Sequence, residues 1–165
     1  MGKVFLLKNV QQIPAGLDAV WQFFSDPQNL FTMTPPALNL RTTNKQHLPQ
    51  MYPGQIITYK VRPLLGIPLF WLTEITHVQE GRFFVDEQRR GPYALWHHQH
   101  HFTSVEGGVE MTDLVHYAVP FGPIGTLANS LVVRRELQKI FTYRYHKIIE
   151  VFGPWAGGQM QLEIS

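Results

Sequence analysis

Apolar residues recur along the chain with two periods, and the change from one to the other divides it into a strand-rich middle and helical flanks. Residues 3–13 (KVFLLKNVQQI) form a short apolar-rich run halted at Pro14, which predicts a strand. Leu17, Val20, Trp21 and Phe24 then follow i, i+3, i+4, i+7, the stripe of a short helix buried on one side and ending near Ser25. Ser25-Asp26-Pro27 restarts the chain with an oxygen-bearing cap ahead of proline at the first helical position, so a second helical turn is expected over 28–31. Pro35-Pro36 closes this unit, because a residue before proline is pushed out of the helical region.

Strand patterns fill the next stretch, over 38–45, 55–62, 69–79, 82–90, 94–105 and 109–119. They are separated by Pro53-Gly54, the Pro63 to Pro68 segment, Glu80-Gly81, Gly91-Pro92 and Glu106-Gly107-Gly108. Such short connections make neighbouring strands antiparallel hairpins in one meander, seven strands with the first. After Pro120-Phe121-Gly122-Pro123 nothing breaks the chain until Gly153-Pro154, so 125–152 can hold a helix of about 28 residues, roughly 40 Å long. Its apolar residues lie on two faces: Ile124, Leu127, Ala128 and Leu131 on one, Val133, Leu137, Ile140, Phe141, Ile148 and Val151 on the other. The helix must therefore meet different surroundings along its length, or bend. The layout is α+β: a curved seven-stranded antiparallel sheet wrapped around a long C-terminal helix, with two short helices after strand one. A curved sheet closed by a helix leaves a void of the kind that takes small molecules.

Composition narrows the class. With 165 residues, 44% hydrophobic and 16% charged, the chain can bury a sizeable core as one domain spanning 1–165, and disorder is excluded. The absence of cysteine rules out a disulfide scaffold, a zinc ribbon and thiol catalysis. A net charge of +2 with scattered basic residues does not make a nucleic-acid surface. No window approaches a membrane span, and residues 1–25 lack the features of a secretory signal, so stable membrane insertion is not expected and a cytoplasmic location is. Neither a Gly-x-Ser-x-Gly elbow nor a phosphate-binding glycine loop is present, so no cofactor is expected.

Residues 13–30 (IPAGLDAVWQFFSDPQNL) resemble the opening of the START-like, or SRPBCC, superfamily: a strand ending in proline, a helix carrying Val-Trp, then Asp-Pro with a small helix. Three further blocks, FVDEQRRGPYALWHHQHHF, GGVEMTDLVHYAVPFGPIG and LQKIFTYR, are similar to a bacterial subfamily of unassigned activity, some of whose members are joined to nucleotide-sugar epimerase-like domains. The superfamily includes the birch-pollen allergen, polyketide cyclase/dehydrase-like proteins and coenzyme Q-binding relatives. The resemblance spans essentially the whole chain and implies the helix-grip fold. It does not imply one function, because relatives range from lipid carriers to cyclases and hydrolases.

Four of the eight histidines fall within His97 to His101. In a strand alternate residues share a face, so Trp96, His98, His100 and Phe102 lie together, with Trp96 and Phe102 marking that face as interior. A turn centred on Gly107-Gly108 sets Phe102 opposite Asp113, His100 opposite Val115 and His98 opposite Tyr117. A loop centred on Pro92 sets Gln88 opposite Trp96 and Asp86 opposite His98; a two-residue Gly91-Pro92 turn would reverse the parity of Asp86 and Gln88. The candidate polar set is thus Asp86, Gln88, His98, His100 and Asp113, in an aromatic wall. Three roles compete for it: a structural network satisfying buried polar groups, a ligand-orienting set, and an acid–base or metal site. His-x-His alone is a weak metal signal, and no metal is assigned. Arg144 lies near the second stripe, either paired with a protein carboxylate or free to anchor a ligand anion. Phe24, Phe31, Met33, Leu131 and Tyr117 complete the candidate ligand wall.

The function expected first is binding or transport of a small hydrophobic ligand, such as a lipid, polyketide or isoprenoid, between sheet and helix. The alternative is a cyclase/dehydratase- or hydrolase-type enzyme with His98 or His100 as general base and Asp86 or Asp113 orienting it. A third is an accessory domain that pairs with a second copy or a fusion partner through the apolar segment 63–71, which could also be a lid or a membrane-touching loop.

Overall fold

The computed structural model describes residues 2–43, 50–62 and 67–165. It contains β1 (Val4–Ile13), α1 (Leu17–Phe24), α2 (Asn29–Thr32), a 3₁₀ turn at Pro36–Leu38, and strands β2 (Arg41–Thr42), β3 (Gln55–Val61), β4 (Leu69–Gln79), β5 (Phe83–Arg90), β6 (Leu95–Val105) and β7 (Gly108–Ala118). The long helix follows as α3 (Gly122–Ala128), a π-helical turn at Asn129–Val133 and α4 (Arg134–Phe152), and the chain closes with β8 (Gln161–Ile164). All strands join one antiparallel sheet ordered β2-β3-β4-β5-β6-β7-β1-β8.

The sheet has eight strands rather than the expected seven. The additional strand is β8, which covers the free edge of β1 by pairing Leu7 with Ile164 and Val10 with Gln161. An exposed edge is a template for foreign pairing, and a short terminal strand removes it. The strand expected over 38–45 shrinks to β2, because Pro35-Pro36 starts a 3₁₀ turn and Asn39 takes the left-handed conformation (φ 44°); residues 44 and 45 lie outside the described residues. The expected helical turn at 28–31 sits one residue later, with Asp26 Oδ1 accepting the backbone N–H of Gln28 at 2.9 Å.

Helix α1 buries Val20, Trp21 and Phe24 of the predicted stripe against Ile13, Phe84, Phe102, Val109 and Met111 of the sheet, with Leu17 partly buried beside them. The two apolar faces of the long helix have different fates. Val133, Leu137, Phe141 and Ile148 are buried, the first three of them against Phe5, Leu7, Val115, Tyr117 and Ile164. Ile124, Leu127 and Leu131 face outward, with Leu131 56% exposed. The π turn at Asn129–Val133 separates α3 from α4 between these two regimes, the widening that an extra residue per turn produces. A third apolar group gathers Ile57, Tyr59 and Ile75 beneath Leu30, Phe31, Leu40, Met51 and Trp71. Among the described residues no helix is long and apolar enough to cross a membrane.

Candidate functional site

A cavity of about 170 Å³ opens where the three apolar groups meet. Its wall takes Phe24 and Met33 from the short-helix layer and Ile57, Tyr59, Trp71 and Ile75 from β3 and β4. Phe84 and Trp96 come from β5 and β6, and Leu137 and Phe141 from α4. Trp71 meets Trp96 edge-on with ring centroids 5.4 Å apart, and both contact Tyr93. Asp86, His98, His100 and Arg144 make one part of this wall polar, and Asp26, Thr34 and, on β4, Thr73 also line the cavity.

Strand register builds that polar corner. On β6 the residues Trp96, His98, His100 and Phe102 share the inner face, as parity predicts, and His98 and His100 are buried. The β5–β6 pairing sets Asp86 opposite His98 and Phe84 opposite His100, the register of a loop centred on Pro92. The β6–β7 pairing corrects the sequence expectation by two residues: His100 faces Asp113, His98 faces Val115, and Trp96 faces Tyr117. The cause is the turn. Val105 pairs with Gly108, so Glu106-Gly107 make a two-residue loop, with Gly107 at φ 87°. An even shift keeps every side chain on its face, so Asp113 still joins the cluster.

Four side chains then close on one another. His98 Nε2 hydrogen-bonds Asp113 Oδ1 at 3.1 Å, and His100 Nε2 hydrogen-bonds Asp86 Oδ2 at 3.0 Å. His98 Nδ1 lies 3.4 Å from the same Asp86 oxygen. His100 Nδ1 approaches Asp113 Oδ1 to 2.9 Å at an angle outside a hydrogen bond. The two imidazole centroids are 3.7 Å apart, and Phe84 stacks on His100 at 4.1 Å. Asn9 on β1 completes the shell, its Nδ2 donating to Asp113 Oδ2 at 3.2 Å.

Burial and charge oppose each other here. Burial raises the carboxyls of Asp86 and Asp113, but the adjoining histidines reverse it, with Arg144 adding to the effect on Asp86; both end below the usual carboxylate range, Asp113 well below. Burial and the neighbouring His100 hold His98 below the ordinary imidazole value. For His100 the same burial is outweighed by contact with both carboxylates, and it is raised. Arg144 lies over the Phe141 ring at 5.0 Å, has no ion pair among the described residues, and leaves its Nε without a hydrogen-bond partner.

Several residues expected in the ligand wall stand elsewhere. Leu131 is outside, on the exposed face of the helix. Tyr117 and Phe102 are buried in the core groups rather than against the cavity, because α1 and α4 pack over their ends of the sheet. Phe31 packs on Tyr59 and reaches a separate surface groove. Gln88 folds back onto its own turn, where its amide donates to Tyr93 O at 2.8 Å and accepts from Tyr93 N at 3.2 Å. Register shifts in the β4–β5 ladder accompany this departure from simple alternation. Gly91 leaves room for that clasp, since a Cβ there would stand 2.3 Å from Gln88 Oε1 and displace the side chain. Gln88 thus places Tyr93, a wall residue. Of the apolar 63–71 segment, 63–66 lie outside the described residues, Ile67 and Phe70 are exposed, and Trp71 lines the cavity. Sequence reasoning passed over Tyr93, the β3–β4 wall and Asn9. Asn9 had a signal: it alternates with Phe5, Leu7, Gln11 and Ile13 on the buried face of β1.

No family model matches the chain, and no curated protein matches it. Solved structures do. Protein Ms6760 from Mycobacterium smegmatis is 19% identical with a TM-score of 0.63, over 88% of this chain and 89% of that one. Ara h 8.0201 is 13% identical with a TM-score of 0.60, over 90% and 99% of the two chains. A nucleoside-diphosphate sugar epimerase from Corynebacterium glutamicum is 21% identical with a TM-score of 0.56, over 87% of this chain but 28% of that one. At these identities the likeness is one of fold, and together with the antiparallel sheet and long C-terminal helix it makes the architecture helix-grip.

Proposed function

We propose that the chain binds a small, largely apolar molecule in the cavity, with the molecule's polar end directed at Asp86, His98, His100 and Arg144. The observation that carries this reading is a largely apolar cavity with a cluster of polar groups at Asp86, His98, His100 and Arg144, the combination that gives affinity through area and orientation through a few polar contacts. A cavity of about 150 Å³ lined by aliphatic and aromatic residues admits benzene, so this one suits a one- or two-ring compound or a short isoprenoid-like chain. Hiding ~300 Å² of apolar ligand surface at about 25 cal/mol per Å² gives several kcal/mol before association costs. Arg144, with no protein anion paired to it among the described residues, favours an acceptor at the polar end, a carbonyl or carboxylate.

The test is native mass spectrometry of gently purified protein, followed by calorimetric titration with 2-naphthoate. A copurifying hydrophobic molecule, or a 1:1 complex that Thr73→Phe abolishes by filling the wall, is the expected outcome. No copurifying molecule together with binding that Thr73→Phe leaves unchanged would contradict it.

One arrangement favours a second reading, a cyclase/dehydratase- or hydrolase-type catalyst. His98 holds one nitrogen to buried Asp113 and turns the other toward the cavity-lining Asp86, the geometry of a base with an orienting carboxylate. On this reading His98→Gln abolishes turnover of an identified substrate while the far-ultraviolet circular dichroism of the folded chain is unchanged.

A further inference from the structure

In the buried cluster two imidazoles close on the same two carboxylates. Ionised carboxylates only accept hydrogen bonds, and a neutral imidazole has one N–H to give. Both histidines present one nitrogen to Asp113 Oδ1, at 3.1 Å for His98 Nε2 and 2.9 Å for His100 Nδ1. Their other nitrogens, His98 Nδ1 and His100 Nε2, converge on a single oxygen of Asp86 at 3.4 and 3.0 Å. His100 Nε2 makes its hydrogen bond to that oxygen and His98 Nδ1 lies beside it, so two imidazole nitrogens and a carboxylate oxygen converge on one place, where a divalent ion can take the position of the proton.

We propose that Asp86, His98 and His100 form a binding site for a divalent transition ion of the zinc class, with Asp113 as the outer carboxylate that fixes both rings. The three donor atoms lie within 4.8 Å of one another. Ligands bonded to one ion at about 2.0–2.2 Å stand about 3 Å apart, which the two Asp86–histidine separations nearly match before any adjustment. Two imidazole nitrogens and one oxygen select zinc-like ions over magnesium or calcium, which take oxygen ligands. A carboxylate behind each ligating histidine is the usual outer partner; Asp113 hydrogen-bonds His98 Nε2, lies 2.9 Å from His100 Nδ1, and is itself held by Asn9. Three protein ligands leave the remaining position to water or to a molecule in the cavity that Asp86, His98 and His100 line. The ion does not require the apolar ligand, nor the ligand the ion, so the two readings fail separately.

The experiment uses the full chain, stripped with a chelator and titrated with Co²⁺. One Co²⁺ per chain is expected, with a visible ligand-field spectrum, displaced by equimolar Zn²⁺ and unaffected by excess Mg²⁺. His98→Gln and His100→Gln should each abolish uptake, and Asp113→Asn should weaken it roughly 10- to 100-fold. A variant replacing His97, His101 and His116 on the outer face by Gln should retain it. Should the inner variants unfold, X-ray absorption of the zinc-loaded wild type still decides, with two imidazole ligands expected. Uptake well below one equivalent, uptake lost in the outer-face variant, or fewer than two imidazoles on zinc overturns the proposal.

Discussion

At the scale of single residues, Asp113 is the hinge of the site. It is fully buried, carries its charge among Asn9, His98 and His100, and lies behind the cavity wall rather than in it. Removing one partner from a buried, hydrogen-bonded charge set leaves the others uncompensated, at a cost of about 3–5 kcal/mol. Asp113→Ala should therefore lower the free energy of urea unfolding by an amount of that order, and Asp113→Asn by less, since the amide oxygen still accepts one N–H. Equal stability of Asp113→Ala and wild type would show that the histidines do not depend on it. Parity together with the Gly107-Gly108 turn puts His98, His100 and Asp113 on one face, because an error of two residues in register leaves every face unchanged. Gln88 escaped the same rule because its side chain satisfies the backbone of its own turn, a choice that hairpin alternation does not encode.

At the scale of elements, the long helix shows what a pattern can say and where it stops. Its two apolar faces were plain in the sequence; which of them met the sheet was not, since both have the composition of a buried stripe. The structure buries Leu137 completely and leaves Leu131 in solvent. Leu137→Ala should cost about 2–5 kcal/mol through lost transfer energy and a cavity, whereas Leu131→Ala should stay within roughly 0.5 kcal/mol. Thermal denaturation of the pair reads the difference, and similar shifts for both would mean that the helix is turned otherwise. The eighth strand was illegible for another reason. QLEI is too short for periodicity to register, and it exists as a strand only because β1 offers it an edge.

At the scale of the whole molecule, the fold divides its core into three apolar groups and leaves their meeting point open toward one charged corner. The order of strands and helices predicts a void between sheet and helix, but not which residues line the cavity. Tyr59, Trp71 and Tyr93 come from separate strands and a loop, and only the sheet order brings them beside Trp96 and Phe141. The central claim is that this void is a binding site whose polar end is the inner histidine pair. Imidazole ¹⁵N NMR of chelator-treated, histidine-labelled protein titrated with 2-naphthoate tests it most directly. The account predicts saturable shifts of His98 and His100 at one ligand per chain, with His77, His97, His101 and His146 unmoved. Shifts confined to those outer histidines, or no saturable shift at the inner pair, would contradict it.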